Sequence, residues 1–107
     1  MVFQWLSISY PHVRRVTFAI PNGGGRDIRE AVNLKKQGVS PGVFDIFISV
    51  ARNGFHGLYI ELKVGRNKLT KEQKIFQEEV SRENYATKVC YSFESVKEAV
   101  EDYLSYD

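Results

Sequence analysis

Three side chains have the types and spacing for chemistry at a divalent cation: Asp45, then Glu61 and Lys63 at the end of the triplet Glu61-Leu62-Lys63, which starts sixteen positions on. Two carboxylates supply the hard oxygen donors that Mg²⁺ or Mn²⁺ requires. A lysine beside them offsets negative charge. The same residues also suit a surface ion triad in which Lys63 pairs with either carboxylate, and spacing alone leaves both readings open. His12 and His56 are isolated in the chain and suggest no zinc or histidine-nucleophile constellation. The single cysteine, Cys90, excludes an internal disulfide and a thiolate zinc cluster, and reads as a small buried hydrophobe.

The elements that must position these residues are two strands. Val43 to Ala51 and Gly57 to Val64 are β-prone runs around Arg52-Asn53-Gly54. A three-residue loop with Gly54 left-handed closes such a hairpin and sets Asp45 across from Glu61. That register pairs Phe44 with Leu62, Ile46 with Ile60 and Ile48 with Leu58. Alternation then puts Phe44, Ile46, Ile48, Val50, Leu58, Ile60, Leu62 and Val64 on one apolar face. Asp45, Glu61 and Lys63 share the other face with Val43, Phe47 and Tyr59. Slipping by one residue would turn one apolar set outward. Like charges opposed across a strand pair repel, and a bound cation would relieve that.

Around the hairpin, Val2 to Tyr10 predicts a short helix stopped by Pro11, and Val13 to Ile20 a strand. Pro21 to Gly25 is a loop. Asp27 to Gln37 predicts a helix with Ile28, Ala31, Val32 and Leu34 on one side, ended by Gly38. Ser40-Pro41-Gly42 is a turn. Thr70 opens a helix to about Asn84 with Ile75, Phe76 and Val80 inward. Thr87 to Tyr91 is a strand. A final helix spans about Phe93 to Leu104, with Val96, Ala99, Val100, Tyr103 and Leu104 as its apolar stripe. The order α-β-α-β-β-α-β-α is that of an α/β fold, a mixed sheet covered by helices, in one domain spanning 1–107. No apolar run is long enough to cross a membrane, and the first residues lack the pattern of a signal peptide. A reducing, intracellular setting fits. The net charge of +2 and pI near 8.7 are permissive for nucleic acid and no more.

Taken together, the motifs resemble a known family. Pro41-Gly42-Val43-Phe44-Asp45 followed by Glu61-Leu62-Lys63 is similar to the PD-(D/E)XK nuclease signature. More closely, the chain resembles the virus-type replication-repair nuclease (VRR-NUC) domain. The matching pieces also include Ile20 to Gly24, Leu34 to Val39, Gly57 to Lys63 and Leu69 to Gln73, in family order across roughly Pro11 to Leu104. The Glu-x-Lys triplet alone is a weak signal and the whole series a strong one. Two positions depart from the pattern. Phe44 stands where the family commonly has proline. The family's glutamate early in its first helix has no counterpart, since no acidic residue precedes Asp27. Either the chain is shortened there or the site works with fewer carboxylates, and Glu30 is the nearest acidic residue, more readily read as solvated.

The resemblance implies a restriction-endonuclease-like fold and a metal-dependent deoxyribonuclease acting on branched DNA, such as four-way junctions or flaps, in a phage or bacterial cytoplasm. Asp45 and Glu61 would bind Mg²⁺ or Mn²⁺, with the Leu62 carbonyl as a further ligand. Lys63 would orient the attacking water or offset charge in the transition state. Gln73 would lie beside the site, although Thr70-Lys71-Glu72-Gln73 also reads as a capping box. For DNA, Asn22 to Arg26 could cradle a phosphate or form a plain turn. Lys35 and Lys36 could touch the backbone or be a solvated helix face, and Arg66, Lys68, Lys71 and Lys74 could grip phosphates or be solvated. A homodimer is expected, with Phe3, Trp5, Leu6 and Tyr10 either at its interface or covering the sheet of their own chain. The rival readings are a DNA-binding module that kept the fold without catalysis, and a purely structural domain.

Overall fold

The computed structural model describes residues 1–21, 32, 33 and 35–107. Helix α1 (Val2–Ser9) leads into a single turn, α2 (Pro11–Arg14), and then strand β1 (Thr17–Ala19). Strands β2 (Ile46–Ile48) and β3 (Leu58–Leu62) form the hairpin. Helix α3 (Lys71–Arg82), strand β4 (Ala86–Cys90) and helix α4 (Phe93–Leu104) complete the described elements. The sheet order is β1-β2-β3-β4, antiparallel except for the parallel β3–β4 pair. It is a mixed sheet flanked by helices, as expected. Val32, Asn33, Lys35 and Lys36 are helical. The rest of the helix expected over Asp27 to Gln37, apart from the turn at Gln37, lies outside the described residues, and Val32 is exposed.

One face of the sheet carries the main core. Ile46, Ile48, Leu58 and Ile60 pack with Leu6, Val13, Val96, Val100 and Tyr103 from α1, α2 and α4. Burying each aliphatic side chain contributes about 1.5–3 kcal/mol. The opposite face is aromatic: Phe47 lies 4.5 Å from Tyr59, and Phe76 of α3 meets Tyr59 edge-on. Both faces are therefore used, by chemically different layers.

The ladder pairs Ile46 with Ile60, Phe47 with Tyr59 and Ile48 with Leu58, the register read from the alternation. Its closure differs from expectation. Asn53 (φ 51°) and Gly54 (φ 82°) make a two-residue turn between Arg52 and Phe55, which exchange both backbone hydrogen bonds. Two consecutive positive φ values mark a type I′ turn. From the Arg52–Phe55 bridge to the Ile48–Leu58 pair, the first strand spends one residue more than the second. That extra residue is a bulge, and it restores the register a three-residue loop would have set.

Several boundaries move. Pro11 opens α2 as its first residue rather than only stopping α1, because its missing N–H and fixed φ suit a helix start. Val13 is thereby helical and buried, and β1 begins only at Thr17. Beyond Ile60 the apolar face ends: Leu62 and Val64 are exposed. Phe44 is buried, but its ring packs against Phe76 on the aromatic side, 5.5 Å away. Ile75 on α3 is exposed rather than inward. Leu6 is fully buried, and Trp5 sits edge-on to Tyr10 and Phe93. These residues, with Phe3, cover the sheet of their own chain, which is the second of the two roles weighed for them.

Candidate active site

Three elements meet at the charged patch. Strand β3 carries Glu61 and, just past its end, Lys63 on the aromatic side of the sheet. Alternation requires this, because Leu58 and Ile60 are held in the core. The Lys63 N–H donates to the Cys90 carbonyl, so the backbone under the lysine stays tied to β4. Asp45 immediately precedes β2. Its backbone carbonyl accepts from Ile20, and its carboxylate Oδ2 accepts from the Leu62 N–H at 2.8 Å. That side-chain bond replaces the next rung of the ladder, which is why the pairing stops at Ile46 and Leu62 emerges into solvent.

The third element is the start of α3. Thr70 caps it, accepting from the Gln73 N–H while the Gln73 side chain accepts from the Thr70 N–H. The expected capping box is present, and Gln73 does more. Its Nε2 donates to Glu61 Oε2 at 2.6 Å, and Lys63 Nζ lies 3.5 Å from the same oxygen. The cap thus fixes the amide that orients Glu61.

Glu61 is only 4% exposed. Among the described residues its other oxygen, Oε1, is buried with no hydrogen-bond partner. Such an acceptor is costly, on the order of 1–3 kcal/mol and more when charged. Burial raises the Glu61 carboxyl above the ordinary glutamate range, the Asp45 charge adds to this, and Lys63 draws it back. Two neighbouring carboxylates, one with an unsatisfied inward oxygen, suit a divalent cation in donor type and charge. Among the described residues, no third histidine, cysteine, aspartate or glutamate completes a larger ligand group.

The structure therefore brings Asp45, Glu61, Lys63 and Gln73 together, with the Leu62 backbone between them. Arg66 and Lys68 are exposed in the loop after Lys63, and the Tyr91 hydroxyl donates to the Asn67 carbonyl of that loop at 2.7 Å. Lys71 and Lys74 are exposed on α3, and Lys35 and Lys36 are exposed and helical. Asn22, Arg26 and Glu30 lie outside the described residues. The tie from Tyr91 was not anticipated. Nor was the exposed ring of Phe18: in β1 it is Thr17 that is buried, and Phe18 faces the other way.

No family model and no curated protein matches the chain. A solved structure described as a VRR_NUC domain protein does, with TM-score 0.84 and 27% identity, over 98% of this chain and 83% of the other. No helix among the described residues is long and apolar enough to cross a membrane.

Proposed function

This chain is a VRR-NUC domain, with the nuclease-type fold that implies, and from that premise we propose that it is a metal-dependent DNA nuclease hydrolysing phosphodiester bonds. The observation that carries the reading is Glu61: a buried carboxylate beside Asp45, with one oxygen unpartnered among the described residues and the other held by Gln73 and Lys63. A structural ion triad accounts for the Lys63 contact but gives Oε1 no partner among the described residues.

Asp45 and Glu61 would hold Mg²⁺ or Mn²⁺, with the Leu62 carbonyl as a further donor. When bound, the cation polarises the scissile phosphate and lowers the pKa of a coordinated water. The protein's own part is positional. The Leu62 amide fixes the Asp45 carboxylate, and the capped Gln73 fixes Glu61. Lys63, presented on the same face, offers its ammonium to the negative charge that grows on the phosphoryl oxygens. Arg66, Lys68, Lys71 and Lys74 offer charge to flanking phosphates, which positions DNA without reading its sequence. Branched or flapped DNA is the proposed substrate.

The test is cleavage of linear, flapped and four-way DNA in Mg²⁺ or Mn²⁺, with Asp45→Asn alongside. Metal-dependent cutting that Asp45→Asn abolishes is expected. DNA binding with no cutting under any condition would leave a binding module that kept the fold.

A further inference from the structure

The sheet face that presents Glu61 also carries a row of aromatic rings across three strands. Phe18, Phe47 and Tyr59 are register partners on β1, β2 and β3. Phe47 lies 4.5 Å from Tyr59, and Phe18 meets Phe47 edge-on at 5.7 Å. At the inner end Tyr59 is covered by Phe76. At the outer end Phe18 is 51% exposed on β1, the outermost strand among the described residues. Register puts Phe18 opposite the residue two positions after Asp45, so it lies within roughly two strand steps, about 7 Å along the strand, of the aspartate. An exposed ring packed edge-on against a second ring offers a π surface, and an aromatic side chain has few rotamers to lose on contact.

We propose that Phe18 is a stacking platform for an unpaired nucleobase of the DNA substrate, next to the nucleotide whose phosphate reaches Asp45 and Glu61. The inference deepens the nuclease reading and rests on it. Its occupant follows from continuity with that site: the strand face that holds the carboxylates ends in this ring. Any base has a π face, so stacking is sequence-tolerant but demands a base out of its duplex stack. This makes Phe18 a selector of DNA with unpaired nucleotides over plain duplex.

The test is binding in metal-free buffer, where cleavage cannot intrude. The probes are a fully paired duplex and the same duplex with a short single-stranded flap containing 2-aminopurine. Phe18→Ala is expected to lose about 5–150-fold in flap affinity, the range for one stacked base, with little change on duplex. Phe18→Trp is expected to keep the affinity. Phe18→Leu, which retains apolar volume against Phe47 but no π face, is expected to behave as the alanine variant and guards against loss of folding. Quenching of 2-aminopurine by the unsubstituted protein and by Phe18→Trp, but not by Phe18→Leu, supports stacking. Equal losses on both probes, unchanged flap affinity in Phe18→Leu, or no DNA binding by the unsubstituted protein overturns it. The nuclease reading fails separately, by absent metal-dependent cleavage while the flap preference persists.

Discussion

Glu61 is an acceptor held in two ways on one oxygen and, among the described residues, in none on the other. If Asp45 and Glu61 share a cation, Mn²⁺ or Mg²⁺ stabilises the folded state by about 2.7 kcal/mol at a hundred times its dissociation constant. For a domain of this size that is a rise in Tm of roughly 10 °C or more. Asp45→Asn is expected to remove the rise, and a melting curve indifferent to millimolar metal would count against the site. The proton competes with the metal. The Glu61 carboxyl titrates higher in the folded protein than in the unfolded chain, by burial first and the Asp45 charge second. Its stabilising contribution is thus complete below the ordinary glutamate value and is lost as pH rises through the raised folded value. A cation needs the ionised form, so the metal-induced rise is expected to grow with pH across that window; melts at fixed Mn²⁺ and several pH values check this. Lys63→Ala is expected to reduce cleavage by about 10²-fold or more while DNA binding stays nearly intact, since its ammonium acts on charge developed in the transition state. Cleavage at the unsubstituted rate would return Lys63 to a plain ion pair with Glu61.

Among the elements, the turn before β2 packs closely on the start of α3, the helix that carries Gln73. Gly42 has φ +86°, and a Cβ there would lie 2.5 Å from the Glu72 carbonyl oxygen. Gly38 has φ +93° with open space around it. Gly38→Ala therefore bears only left-handed strain, about 1–2 kcal/mol, whereas Gly42→Ala adds a steric clash for a total of about 2–5 kcal/mol. Urea midpoints of the two variants measure the contrast. Equal losses would show that this close packing yields easily.

For the molecule as a whole, the sequence expectation of a homodimer becomes a proposal about substrate. Symmetric cutting of a four-way junction requires two sites related by a two-fold axis. Phe3 and Trp5 of α1 pack against the core of their own chain and are partly buried there. Light scattering at micromolar concentration is expected to give the dimer mass. A monomer mass would shift the substrate from junctions toward flaps or ends.

What the sequence determined by itself is the part governed by period and by local chemistry. Strict alternation specified the Ile46–Ile60 register and the face of Glu61, because a slip would expose an entire strand's apolar set. Thr70 and Gln73 announced their cap through a three-residue spacing, and α4 through its apolar stripe, because both depend only on neighbours in the chain. The tertiary structure decided what depends on groups distant in sequence. The Asp45 side chain takes the Leu62 amide, so the ladder ends early and Leu62 and Val64 leave the core. Phe44 turns to Phe76 because α3 brings a second apolar layer to the face that alternation had marked as charged. The burial of Glu61 under Gln73 is of the same kind. Its spacing predicted a carboxylate on a patch, but only packing could enclose it and leave one oxygen without a partner among the described residues.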